Sequence, residues 1–235
     1  VIQIKQTDGP TIFGLRDETG TVPCTAFEGA GVRAYEDVSV GDYVHVAGTV
    51  ESRNGGVQVE IATLDVLHGE EASTVAERLA VATAANATPE SISPLVEWPA
   101  LEQLFPELES VAERLRRAVI EGRPIRIRHH ADGDGMCAAA PVQLALERFI
   151  EDTYENPDAK HFMLKRLPSK APYYEMEDAT RDLNFALGDR ARHGQKLPLL
   201  LMLDNGSTEE DTPAYRTLDH YDIPGPGHLL GRPVR

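Results

Sequence analysis

Cysteine, lysine and long apolar runs are all scarce in this 235-residue chain. No hydrophobic segment approaches the roughly 18 residues that cross a bilayer. No charged-then-apolar leader opens the sequence either, so a soluble, cytoplasmic protein with no membrane partner is expected. The two cysteines, Cys24 and Cys137, sit far apart and outside any CxxC pair, which excludes a disulfide framework and fits a reduced compartment. Only five of the 23 basic residues are lysines (Lys5, Lys160, Lys165, Lys170, Lys196), against 38 acidic residues and a net charge of −15. A nucleic-acid binder ordinarily carries a basic footprint, so this balance counts against one at first sight.

Net charge speaks to solubility and association rather than to fold. The acid-rich, lysine-poor balance resembles that of proteins from salt-loving archaea. Phosphate contacts weaken steeply in high salt, so binding there leans on stacking, hydrogen bonds and metal. Hydrophobic residues make up 41%, enough for a packed core. The chain starts at Val1 inside a strand-like segment and ends in a patternless tail after Gly225-Pro226-Gly227, which reads as a fragment or truncated product.

Residues 1–67 read as five short strands, at 1–6, 11–16, 21–27, 43–51 and 57–67, with Asn54-Gly55-Gly56 as a hairpin signal. Such spacing predicts a small all-β barrel. Residues 68–121 form a helical linker region, with helices over 70–85 and 100–121 around a Pro- and Ser-punctuated break. From 122 to 224, strands at 125–128, 161–167 and 197–203 alternate with helices at 136–154, 174–192 and from Pro213 onward. That order predicts an α/β domain with a parallel sheet. Residues 225–235 form an aberrant tail.

The chemistry concentrates in His130-Ala131-Asp132-Gly133-Asp134-Gly135, between a strand and a helix, where ligands collect in parallel sheets. Alternate positions bring His130, Asp132 and Asp134 within reach of one point if the loop curls. Two carboxylates and an imidazole suit Mn²⁺ or a similar divalent ion, and the glycines allow a sharp turn beside a phosphate. An isolated DGDG is more often a surface turn with a helix cap; the preceding His129-His130 and the apolar strand lower the weight of that reading. An EF-hand lacks the required spacing and closing Glu. Asp204, in Asp204-Asn205-Gly206-Ser207, ends a second strand and can converge on the same ion. Ser207 or Thr208 would cap the next helix, with Glu209, Glu210 and Asp211 in its first turn.

His130-x-Asp132-x-Asp134-Gly135 resembles the first motif of DHH phosphoesterases, and Asp204-x-Gly206 their second. The barrel in front resembles the arrangement of archaeal RecJ-like exonucleases with an oligonucleotide-binding (OB) domain. The resemblance covers the chain to about Pro224. It implies a two-metal site, usually Mn²⁺, that hydrolyses phosphodiesters, with His130, Asp132, Asp134 and Asp204 as ligands and Asp132, Asp134 and Asp204 as catalytic carboxylates. It further implies single-stranded DNA or RNA as substrate and replication or repair proteins as partners. The third motif, Asp-His-His after a strand, is missing. Asp219-His220-Tyr221 falls at the end of a helix, and Ile223-Pro224 begins the strand that should carry it. The fourth acidic motif and the C-terminal substrate-binding domain are also missing, so the DHH domain is incomplete and impaired activity is expected.

In the barrel, Phe13-Gly14-Leu15-Arg16-Asp17-Glu18-Thr19-Gly20 resembles an OB-fold strand-turn-strand. OB-folds stack bases on aromatics over a charged groove, which makes Phe13, Arg16, Phe27, Arg33, Tyr43 and Arg53 the candidates for nucleic-acid contact. Phe13 and Phe27 suit the barrel core equally well. Arg126 and Arg128 either meet phosphate or form salt bridges, at least one of them at a sheet edge. Lys165, Arg166 and Lys170 are a substrate contact or a solvated loop, and Cys137 is expected to pack. A truncated nuclease is the leading reading, with a non-catalytic single-strand-binding protein as the alternative. A small-molecule phosphodiesterase or pyrophosphatase is a third, which the barrel disfavours.

Overall fold

The first five strands pair as their alternation of apolar and polar residues dictates. The computed structural model describes residues 1–53 and 55–223. β1 (Gln3–Gln6), β2 (Thr11–Arg16), β3 (Thr21–Ala26), β4 (Val44–Arg53) and β5 (Gly56–Val66) form one sheet in the order β1-β2-β3-β5-β4. β1 to β3 make an antiparallel meander, and β4 and β5 an antiparallel hairpin. β3 touches β5 in a short parallel contact at Cys24 and Thr25. Asn54 of the expected hairpin turn lies outside the described residues; Gly55 beside it has a φ of 81°, the left-handed backbone such turns need. The β4–β5 register shifts between Ala47 and Gly48. A Cβ on Gly48 would overlap the Glu60 carbonyl, so this irregularity requires glycine. Phe13, Cys24, Ala26, Ala34, Val38 and Leu64 fill the core of this unit.

Helices α1 (Gly69–Ala87) and α2 (Pro99–Ile120) come next in the chain and pack on each other. Pro99 opens α2, where its missing N–H costs nothing. The last turns of α2 bury Leu115, Ala118, Val119 and Ile120.

The second sheet holds β6 (Ile125–His130), β7 (Leu164–Ser169) and β8 (Leu199–Leu203), all parallel, in the order β7-β6-β8. Helix α3 (Gly133–Thr153) covers the face of Ile125, Ile127, Leu199 and Leu201. Helices α5 (Met176–His193) and α6 (Thr212–Asp219) cover the face of Leu200. The chain leaves β6 toward β7 on one side and later returns to β8 on the other, so the strand order reverses at β6. Residues 161–163, expected as strand, belong to a short helix α4 (Ala159–Met163), whose Ala159 and Met163 are buried in the core under α3. Helix α3 begins at Gly133 rather than Met136, because the Asp132 side chain caps it by accepting from the Gly135 amide. Asp219 ends α6, as its helical context implied; Ile223 is buried outside any strand. Pro224 and the predicted tail at 225–235 lie outside the described residues.

Neither β6 arginine lies at a sheet edge, because β6 is the central strand. Arg128 is almost fully buried. It meets Asp178 at 2.9 Å and Asp182 at 2.8 Å, both on α5, and Tyr174 donates to Asp182 at 2.8 Å. Desolvation opposes the Arg128 charge, but hydrogen bonding and attraction from Asp182, with Asp178, outweigh it and raise its pKa. Arg126 pairs with Asp189 at 3.1 Å.

The barrel docks on the amino edge of the parallel sheet. Thr21 bridges Tyr154 and accepts from the Glu155 amide at 3.0 Å, Gln3 donates to the His193 carbonyl at 2.6 Å, and Ile2 joins the α/β core. Gly194, with a φ of 62°, ends α5 against Ile4, whose carbonyl a Cβ there would overlap.

The expectation that Cys137 packs is corrected: it is exposed, on the outer side of the first turns of α3, whereas Cys24 is buried and burial pushes its thiol up to about 11. A thiol reagent at pH 8 is therefore expected to modify one cysteine in the native protein, Cys137, as peptide mapping would check. Arg128→Ala strands Asp178 and Asp182 in the core. It is expected to cost about 3–5 kcal/mol, the penalty for breaking a buried pair, read by chemical denaturation.

Candidate metal centre and nucleic-acid surface

Two strands deliver the acidic loops to one place. β6 ends at His130 and β8 at Leu203, on either side of the point where the strand order reverses. Crevices form there because the flanking connections diverge to opposite faces. His130, Asp132 and Asp204 each present a ligand atom, and the three atoms lie within 4.8 Å of one another. His130 Nδ1 lies 2.8 Å from Asp132 Oδ2, while Asp132 Oδ1 accepts from the Gly135 amide at 3.0 Å. The Gly135 amide, followed by His130 and Asp204, holds the Asp132 carboxyl below the usual carboxylate range against a smaller desolvation effect.

Close approach makes this convergence possible. A Cβ on Gly135 would overlap the His130 carbonyl and lie 3.1 Å from Asp204 Oδ2, so only glycine lets the helix start come this near. Asp204 itself has a φ of 62°, a left-handed conformation that Asp tolerates better than most residues. Behind the cluster, His129 Nε2, Ser169 Oγ and both amide atoms of Asn205 are buried without a partner among the described residues. Nothing in the sequence marked Ser169; His129 was visible as half of a histidine pair, and Asn205 as the neighbour of Asp204.

The donor set fits a divalent cation. Two ligands bound to one ion at about 2.1 Å lie at most about 4.2 Å apart, so the three side chains need only a small inward shift. Asp134 does not join them. It lies exposed in the first turn of α3 and not on a curled loop, because capping by Asp132 starts the helix early.

The barrel candidates divide. Phe13 is withdrawn as a stacking platform, since it is fully buried and packs edge-on against Tyr35. Arg16 is turned inward and donates to Thr83 Oγ1 at 3.0 Å and the Ile120 carbonyl at 3.3 Å, tying the barrel to α1 and α2. Phe27 is 68% exposed, and Arg53 is exposed at the end of β4. Arg33 is half-buried and donates to the Val38 carbonyl at 2.5 Å. Tyr43 is half-buried and lines a cleft with Val1, Leu15 and Val22. Lys170 is exposed just beyond β7, on the same sheet edge as the acidic cluster. The barrel occupies the other edge. β6 spans six residues at about 3.3 Å each, so roughly 20 Å separates the two ends.

These features define a β-barrel of the OB type joined to a DHH-type parallel α/β region. Residues 1–67 match the family described as OB-fold nucleic acid binding domain. Over 224 residues, 95% of the chain, the sequence is 45% identical to uncharacterized protein MJ1198 of Methanocaldococcus jannaschii. The match takes in 29% of that relative, so the chain spans less than a third of its length. A solved DHH-domain structure, of a member of the S1p family of ribosomal proteins, superposes with a TM-score of 0.64 at 39% identity. It covers 66% of this chain and 36% of that one. The N-terminal unit is thus an OB-fold nucleic-acid-binding domain, and the α/β region is matched by a DHH-domain neighbour.

Substitutions separate the two roles of Asp132. Asp132→Ala is expected to lower thermal stability through loss of the α3 cap, and Asp132→Asn to keep most of it, since Asn caps as well as Asp. Asp204→Asn is expected to leave the melting temperature nearly unchanged. Scanning calorimetry of the three variants checks this ordering.

Proposed function

We propose that the chain binds single-stranded DNA or RNA through its barrel and presents it to a divalent-metal centre for phosphodiester hydrolysis, as part of a RecJ-like exonuclease of DNA repair or replication. The observation that carries this reading is the convergence of His130, Asp132 and Asp204 at the strand-order reversal. These three residues would hold a Mn²⁺ ion, and Asp134, in the first turn of α3, is the further carboxylate available to a second. Such ions, when bound, lower the pKa of water and neutralise phosphate charge. His130 is oriented for that task by Asp132, and Asp132 by the Gly135 amide. In this reading Lys170, exposed at the same edge, meets a phosphate, and Phe27 and Arg53 meet bases and backbone on the barrel. A high-salt setting fits the acid-rich composition, since stacking on Phe27 survives screening better than phosphate contacts do.

The ligand set within the described residues lacks the later strand ends from which the family draws its remaining ligands. Hydrolysis by this chain alone is therefore expected to be weak or absent. Calorimetric titration with Mn²⁺ is expected to give stoichiometric binding that Asp132→Ala abolishes and Asp204→Asn weakens; no binding in the wild type would leave only the barrel's function. Robust Mn²⁺-dependent turnover of single-stranded DNA, lost in Asp134→Ala, would overturn the expectation of impairment. Phe27→Ala is expected to weaken oligonucleotide binding by about 1–3 kcal/mol, the value of one stacked base, as fluorescence anisotropy would measure.

A further inference from the structure

Positive charge gathers in one place away from the acidic cluster. The last turn of α5 carries Arg190 and Arg192, both exposed. A cleft of about 410 Å³ runs between them and Arg33 of the barrel, with Gln6, Ser39 and Gly194 also lining it. Elsewhere on α5 and β6, arginines are paired: Arg126 with Asp189, Arg128 with Asp178 and Asp182, Arg181 with Glu177. The cleft arginines make no ion pair among the described residues. Among the described residues, Arg33 donates to the Val38 carbonyl alone and leaves its buried Nε without a partner; Arg192 donates to the Gly188 carbonyl at 3.3 Å. Arg190 makes no ion pair among the described residues.

Basic residues in the last helical turn complement the helix dipole, which accounts for Arg190 and Arg192 taken alone. It does not account for Arg33, which converges on them from the other unit. In a chain with 38 acidic residues and a net charge of −15, three arginines lining one cleft with no carboxylate among its lining residues leave room for an outside anion. Guanidinium forks suit phosphate oxygens, which they meet in bidentate fashion. The cleft also opens, at Gln6, on the end of the barrel that carries an exposed ring. Gln6 pairs with Thr11, and Thr11 with Ala26, across the sheet, so Phe27 stands at the same end of the barrel as Gln6.

We propose that the seam between the barrel and the end of α5, built by Arg33, Arg190 and Arg192, is a binding track for the phosphodiester backbone of a single-stranded nucleic acid. The proposal rests on the proposed nucleic-acid function and extends it to residues of the α/β region. The track makes the two units a single binding surface, in which stacking at Phe27 and phosphate contacts at the seam act on neighbouring nucleotides.

The test is fluorescence anisotropy of a 20-nucleotide oligothymidylate with the full chain over a series of salt concentrations. Arg190→Glu and Arg192→Glu are each expected to make the plot of log affinity against log salt shallower by about 0.7, the contribution of one phosphate contact to a single strand. Arg148→Glu, the same charge change at an exposed position on α3, is expected to leave the slope unchanged. Equal effects from all three variants would mean diffuse attraction, and unchanged slopes at the seam would mean no contact; either overturns the track while wild-type binding upholds the barrel. Competition by thymidine monophosphate as effective as by oligonucleotide of equal phosphate content would reveal a small-anion site and overturn it too. If the wild-type chain binds no oligonucleotide at low salt, the nucleic-acid reading fails and the track with it.

Discussion

Arg128 is the pin on which the α/β region turns. Its guanidinium lies in the middle of the central strand, and the two carboxylates it needs are both on α5, one turn apart. A buried cation tolerates no slippage, because any shift of α5 along the sheet parts Arg128 from both carboxylates in a low-dielectric interior. The helix is thereby fixed in translation and rotation. Its far end is then where Gly194 meets Ile4 and His193 receives Gln3. One ion network in the α/β region thus sets how the barrel sits. An apolar pair in the same place would hold α5 to the sheet but would not fix its register as tightly.

The acidic loops depend on that frame in a different way. His130 and Asp204 come from neighbouring parallel strands, and their meeting is set by strand order and strand length. Glycine at 135 then permits an approach that any side chain would block. Behind them, polar atoms of His129, Ser169 and Asn205 have no partner among the described residues, so an unsatisfied stretch of interior adjoins the acidic cluster.

Much of this was legible in the residues. The strand-loop-helix setting of His130 and Asp132, the apolar run ending at Asp204, and the turn signals between the barrel strands all depend on local patterns. What escaped depends on partners distant in sequence or on a change of period. Asp134 reads as a loop ligand because DGDG looks like a turn; the cap formed by Asp132 converts the second half into helix. Phe13 and Phe27 are alike in sequence, and only the closing of the core around Phe13 tells them apart. Arg16 looks available until α1 and α2 supply Thr83 and the Ile120 carbonyl as acceptors. Cys137 sits among small residues that suggest packing, yet the helix buries Gly135 and Ala139 and turns Cys137 outward. His161–Met163 mixes apolar and polar residues in a way that suits either strand or helix, and burial of Ala159 and Met163 under α3 decides for helix.

The docking of the barrel at the amino edge of the sheet has a geometric outcome. A polynucleotide advances about 3.4 Å per residue when stacked, so the length of β6 corresponds to about six nucleotides. Under the proposed function, a strand gripped by the barrel must trail at least that much chain before its terminus arrives at the acidic loops. The fold then works as a ruler: long strands are retained while their ends are trimmed, and remnants too short to bridge the gap drop away undigested.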